Sequence, residues 1–243
     1  MRLKVVVSLL LVVGLATWFI FKTSEITIPV MGTTVRVKVS GPLAFWRARQ
    51  AVAEIKRLEK IFRPVTDSPD TVRVLALAEA VKKASHGAFD VRWSGKIDLG
   101  GIGKGYAVEV ARRVLLKNGV KSAIIDMHSS IAVIGDGWKI GIFDPRTKCF
   151  FKRIVLNDKE ALSTSGQYEQ PGHIIDPRTG KAADKCMSVT VVCKDAALAD
   201  ALSTAIFVLG PTKGISLAAK IGARTLIVDK NGKTYDNLSV KLR

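Results

Sequence analysis

Asp200 and Thr204 stand four residues apart in a stretch, residues 195–210, whose composition and punctuation read as a helix closed by Gly210-Pro211. Side chains four apart project from one helical face. Two hard oxygens on one face suit Mg²⁺, which takes few protein ligands and completes its shell with water and phosphate. A capped helix with a polar stripe accounts for the same pair without a ligand, and Asp195 reads as its N-cap. A second group is Ser163-Thr164-Ser165-Gly166 followed by His173-Ile174-Ile175-Asp176-Pro177-Arg178-Thr179-Gly180. It gathers hydroxyls, an imidazole able to accept a proton near neutral pH, and a carboxylate. The small-x-Ser-x-Gly elbow of the α/β hydrolases is absent, so a Ser-His-Asp hydrolase is not indicated. A third group, Asp98-Leu99-Gly100-Gly101-Ile102-Gly103-Lys104-Gly105, puts flexible backbone and a cation just before a helix. Backbone amides there can cradle a phosphate, although the spacing is neither that of a Walker loop nor GxGxxG. Close packing of a helix on a sheet is the structural alternative for these glycines.

The elements that must carry these groups mix strands and helices without βαβ alternation, which predicts an α+β fold with mixed or antiparallel sheets and packed helices. Val35, Val37 and Val39 alternate with Arg36 and Lys38 as a half-buried strand, with residues 22–30 a short link into it. Helical spacing runs from about Leu43 to Phe62, and a second helix capped by Asp70 or Thr71 reaches about Ala84. A third follows the glycines to about Lys117. Strands are expected at 121–126, 131–134, 138–143, 153–156 and 188–193, and a hairpin around Asn231-Gly232.

The chain has 243 residues and a formal charge of +17, from 38 Lys+Arg against 21 Asp+Glu. Such an excess attracts anions. The basic residues are scattered, with no run interleaved with aromatics, so a nucleic-acid groove is not favoured. Arg2 and Lys4 precede an apolar run from Val5 to Phe21, 17 residues, or roughly 25 Å as a helix. No small-x-small cleavage site follows it, so residues 1–24 read as an uncleaved anchor rather than a signal peptide. The basic flank puts the domain, residues 25–243, on the extracytoplasmic side, which in a two-membrane cell is the periplasm. Cys149, Cys186 and Cys193 fit no zinc spacing and read as buried or indifferent thiols.

Met31-Gly32-Thr33-Thr34, DLGGIGKGYAV (98–108), WKIGIFDPR (138–146), STSGQYE (163–169), HIIDPRTG (173–180) and DAALADALSTAIFVLG (195–210) occur in an order that resembles the ApbE family of FAD:protein FMN transferases. The resemblance implies one ApbE-like domain with FAD as substrate and Mg²⁺ as cofactor. FMN would pass to a Thr or Ser hydroxyl of a membrane-bound client protein, with release of AMP. It implies flavin-nucleotide contacts at Met31, Thr33, Asp98, Gly100, Lys104, Ser129, Ser130 and Ile175. It implies metal ligands at Asp200, Thr204 and the Gly101 carbonyl. His173 would help deprotonate the acceptor hydroxyl, with Asp176 and Thr164 in the catalytic group. The same residues with water as acceptor would make an FAD pyrophosphatase, and without turnover a tethered flavin-binding accessory protein. The chain departs from the family in the seven residues between Asp90 and Asp98, where relatives carry a long segment, and in the Asp126-Met127-His128-Ser129-Ser130 loop.

Overall fold

The computed structural model describes residues 22–147, 149–167 and 171–238. The apolar run at 5–21, and Tyr168 and Glu169 of the fourth motif, lie outside them. Among the described residues no helix is long and apolar enough to cross a membrane.

The expectation of α+β holds. One sheet of eight strands has the order β1-β2-β3-β4-β7-β10-β11-β12, antiparallel at every neighbouring pair. In chain order its strands are β1 (Thr23–Val30), β2 (Thr33–Ser40), β3 (Ser122–Asp126), β4 (Ser130–Ile134), β7 (Ala161–Gly166), β10 (Cys186–Cys193), β11 (Arg224–Asp229) and β12 (Thr234–Asp236). Two hairpins stand apart from it: β5 (Trp138–Asp144) with β6 (Cys149–Leu156), and β8 (Ile175–Asp176) with β9 (Lys181–Ala182). Five helices are described: α1 (Ala44–Phe62), α2 (Pro69–Ala84), α3 (Gly103–Lys117), α4 (Ala196–Leu209) and α5 (Pro211–Ile221).

Strand alternation sorts the sheet into two apolar faces. Val35, Val37, Ile125, Ala132, Val189 and Val191 meet the helices in the main core, where α4 contributes Leu202, Ile206 and Phe207. Ile124, Ile131, Val133, Leu162 and Val192 face the other way, against Ile140, Ile142 and Leu156 of the β5–β6 hairpin.

Two strand assignments are corrected. Residues 23–30 are a full edge strand rather than a link; Ile26, Ile28 and Val30 alternate on its inner face and pack against the main core, with Ile26 and Ile28 only half-buried. Residues 161–166 form a central strand, unexpected from a Ser-Thr-Ser run. One cap is corrected as well. Ser68 starts α2, its Oγ accepting the Thr71 N–H at 3.0 Å. Asp70 turns inward, accepting the Tyr106 hydroxyl at 2.9 Å and pairing with Arg57 at 2.8 Å. Asp195 caps α4 as expected, accepting the Leu198 N–H at 2.9 Å.

Candidate functional site

Asp200 lies on the face of α4 that meets the start of α3, and it is 4% exposed. The two helices touch at Gly105, where a Cβ would come within 2.3 Å of the Ala196 carbonyl oxygen and 2.5 Å of Asp200 Cβ. Only glycine permits that approach. It lets the Gly105 N–H, in the first turn of α3, donate to Asp200 Oδ2 at 2.8 Å. From the sheet side, the Ser163 hydroxyl sits 3.0 Å from Asp200 Oδ1 and 3.0 Å from the Ser129 carbonyl, so its single proton serves one acceptor at a time. Ser130 Oγ is 3.1 Å from Ser163 Oγ.

Burial pushes the Asp200 carboxyl above the usual carboxylate range. The Lys104 charge, the Gly105 amide and the Ser163 and Ser130 hydroxyls pull the other way without cancelling it. A buried carboxylate so placed gains from further positive charge.

Thr204, one turn along α4, is tied to the same wall. Ser165 Oγ lies 3.1 Å from Thr204 Oγ1 and 2.7 Å from Ser203 Oγ. Gly101 opens a space beside it, because a Cβ there would stand 3.1 Å from Thr204 Oγ1 and 3.1 Å from the Phe89 ring. Asp200, Thr204, Gly101 and Lys104 are therefore brought to one place. Among the described residues no group of three or more His, Cys, Asp and Glu is arranged to hold a metal. A cation here would rest on one carboxylate, a hydroxyl, a backbone carbonyl and the oxygens of its substrate. That donor set fits Mg²⁺ and is poor for zinc.

The glycine-rich loop is held in shape by Asp98, whose Oδ1 accepts the Gly100 N–H at 2.8 Å. Met31 reaches the same loop from the β1–β2 turn. Met31 and Gly32 both have positive φ, 52° and 74°, as a two-residue hairpin turn requires. The Met31 N–H is held by Glu59 Oε1 at 2.5 Å, and its Cε lies 3.8 Å from where a Gly103 Cβ would be. Thr33 follows the turn, half-buried. In the β3–β4 turn, Ser129 Oγ is buried with no hydrogen-bond partner among the described residues, an unmet polar atom beside the Asp200 wall.

The segment carrying His173 is anchored by Gln167, at the end of β7. Gln167 Nε2 donates to the Ala183 carbonyl at 2.9 Å and the Ile174 carbonyl at 3.3 Å, and its Oε1 accepts the Gly172 N–H at 3.0 Å. His173 is exposed between these tethers, and Ile175 is half-buried. The segment lies on the 85–89 turn, since Arg178 Cγ is 3.6 Å from the Cβ position of Gly87. That turn also presents Phe89 to Gly101, so one turn touches both the glycine loop and the segment that carries His173.

Two residues of the expected catalytic group hold other partners. Thr164 points to the opposite face of the sheet from Ser163 and Ser165, with Oγ1 2.9 Å from Thr190 Oγ1. Period-two alternation gives the Asp200 side to its two serine neighbours. Asp176 is engaged by Arg178, whose Nε and a terminal nitrogen donate at 2.8 and 2.7 Å, and the guanidinium holds its carboxyl below the usual range. Asp144 and Arg146 make the same fork at 2.8 and 2.6 Å, remote in sequence. Asp-Pro-Arg is thus a turn that this chain uses twice. Sequence reasoning takes Ser163 and Ser165 only as part of a hydroxyl run, and it does not single out Ser203 or Phe89. The signal for the serines was the i, i+2 spacing of Ser163 and Ser165 opposite a helix bearing Asp200.

The ApbE family model matches residues 92–227. An FAD:protein FMN transferase of Rhodobacter capsulatus is 33% identical over 161 residues, covering 61% of this chain and 31% of that protein. One of Escherichia coli K12 is 28% identical over 154 residues, 57% and 44% of the two chains. The chain thus spans less than half of the length of these relatives. Among solved structures, the flavin transferase ApbE of Vibrio cholerae superposes with a TM-score of 0.77 at 21% identity, over 89% of this chain and 97% of that one. An ApbE protein of Thermotoga maritima gives 0.77 at 26% identity over the same shares, 89% and 97%.

Proposed function

The chain belongs to the ApbE family, and from that premise we propose that it transfers FMN from FAD to a Thr or Ser hydroxyl of a client protein, releasing AMP, with Mg²⁺ as cofactor. The observation that carries this reading is Asp200: a buried carboxylate held between the first turn of α3 and the hydroxyls of β7, beside Thr204, Gly101 and Lys104.

Asp200, Thr204 and the Gly101 carbonyl would hold the ion. Mg²⁺, when bound, offsets the charge of a pyrophosphate and of its departing phosphate. The rest falls to the chain's own groups. Lys104 and the amides at the α3 N-terminus bind phosphate oxygens. The Ser163 and Ser130 hydroxyls aim Asp200 and favour its ionised form against burial. Met31, tied by its backbone to Glu59, flanks the glycine loop and offers an apolar contact to the flavin end. His173 is exposed where an acceptor protein can approach, and it takes the proton of the incoming hydroxyl.

The apolar run at 5–21 would anchor the domain in the cytoplasmic membrane, on its outer side and beside membrane-bound clients. The test is to incubate the full chain with FAD, Mg²⁺ and a threonine-bearing acceptor protein. Flavin fluorescence of the acceptor in a denaturing gel is read together with AMP release. A fluorescent acceptor with matching AMP supports transfer. AMP without a labelled acceptor turns the reading to a pyrophosphatase, and neither product refutes both.

A further inference from the structure

The end of the domain opposite the active site carries apolar side chains that the fold does not use. Leu43, Phe45 and Trp46, at the N-terminus of α1, are 51%, 44% and 59% exposed. Leu43 is also held at a left-handed φ of 55°, which turns the chain into the helix. The two rings meet edge to face with centroids 5.5 Å apart, and the Arg49 guanidinium lies 5.5 Å from the Trp46 centroid and 5.7 Å from that of Phe45. Leu116, in the last turn of α3, is exposed at the same end, because the α3 C-cap Asn118 donates to Gln50 of α1 at 3.0 Å. Lys117 and Lys121 are exposed beside it, Lys121 immediately before Ser122, which pairs with Ser40.

This is also the end where the chain enters the domain. The Lys22 carbonyl accepts the Gly41 N–H at 2.9 Å, and Thr23 pairs with Ser40. Residue 21, the last of the apolar run, is thus covalently next to a residue that touches the turn leading into Leu43. Exposed aromatics rimmed by Arg and Lys, at the mouth of an apolar segment, have the chemistry of a membrane–water interface. Trp rings sit at headgroup depth there, and cations meet acidic lipid.

We propose that this end lies on the bilayer, with Leu43, Phe45, Trp46 and Leu116 entering the headgroup region of an anionic phospholipid membrane. The proposal rests on the anchor reading above. It fixes the height of the active site. The Met31–Gly32 turn is the far end of β1, whose 8 residues span roughly 25 Å. The Gly101–Gly105 loop is the far end of α3, whose 15 residues span roughly 22 Å. Both rulers place the reacting centre about that far from the lipid. A client threonine must then stand at that height, which selects acceptors by geometry as well as by local sequence.

The test uses the full chain in nanodiscs containing acidic lipid, made with and without brominated acyl chains, and reads tryptophan quenching. The chain has four tryptophans, of which Trp18 lies in the apolar run, Trp46 in the patch and Trp93 on the exposed 92–97 turn. With Trp18 and Trp46 as the two lipid-facing rings, Trp46→Phe removes about half of the bromolipid-quenched emission, and Trp93→Phe removes none. Zwitterionic lipid reduces the Trp46 share. A chain retained in nanodiscs whose quenching is unchanged by Trp46→Phe overturns the docking and leaves the anchor standing. The same result would follow if a second copy of the chain, or another protein, covered the patch. A chain not retained in nanodiscs overturns the anchor, and the docking with it.

Discussion

Replacing Gly105 with alanine tests whether the helix contact that holds Asp200 depends on a missing side chain. The added Cβ would stand 2.3 Å from the Ala196 carbonyl oxygen and 2.5 Å from Asp200 Cβ. The first neighbour is backbone, so relief requires α3 and α4 to separate. Overpacking of this kind costs about 1–3 kcal/mol. Separation also lengthens the 2.8 Å bond from the Gly105 amide to Asp200 Oδ2, and losing a hydrogen bond to a charged group costs about 1.5–3 kcal/mol. Together these come to about 2.5–6 kcal/mol, which lowers Tm by about 5–24 °C in a domain of this size. Gly103→Ala is the control. It lies two residues earlier in the same helix, and its Cβ would meet Leu99 Cβ at 3.5 Å, an ordinary contact. Thermal and urea unfolding of both variants, with FAD turnover measured well below the transition, separate the two. Gly103→Ala stays within about 1 kcal/mol of the parent chain. A Gly105→Ala variant that does the same and keeps its turnover refutes the claim that α4 positions Asp200 through this contact.

Further outcomes follow from the same geometry. Asp200→Ala loses Mg²⁺-dependent turnover by about 100-fold or more, while FAD binding, measured by flavin fluorescence, is retained in part; unchanged turnover removes Asp200 from the metal site. In the native chain a maleimide labels one thiol, exposed Cys149, whereas denaturant exposes three; burial drives Cys186 and Cys193 up to about 12, so two or more reactive thiols in the native chain at pH 8 contradict that burial. Burial first, then the hydrogen bond to Asp70, pushes the Tyr106 hydroxyl from 10.0 up to about 12. A raised folded value means stabilisation intact below pH 10 and lost as pH rises toward 12. Urea midpoints therefore fall more steeply between pH 10 and 12 in the parent chain than in Tyr106→Phe, and parallel curves contradict the role of that hydrogen bond.

The helices were legible because their signals are local. Asp195 and Gly210 bound α4, and Asn118-Gly119 closes α3 at the expected place. The shared face of Asp200 and Thr204 was legible for the same reason, being set by a single helix. The sheet was less so. β4 and β7 are neighbours, yet the whole β5–β6 hairpin separates them in sequence, and no local pattern records that pairing. β7 itself resisted reading because Ser163 and Ser165 spend their face on Asp200 and Thr204 rather than on apolar core. A strand that breaks its apolar rule at a functional site is what consistency across levels leads one to expect. Thr164 was misplaced for a related reason: in a run of three hydroxyl residues, only the strand register tells which ones share a face. Asp176 drew attention as an acid near His173, and its second instance at Asp144 identifies it as part of a repeated turn.

The most direct test of the central claim is the intact mass of the acceptor protein after incubation of the full chain with FAD and Mg²⁺. The account predicts that a threonine-bearing acceptor gains one FMN, with one AMP released per acceptor, and that its Thr→Val counterpart gains nothing. Release of AMP and free FMN with no gain of mass on either acceptor would contradict transfer and leave hydrolysis of FAD as the reaction of this site.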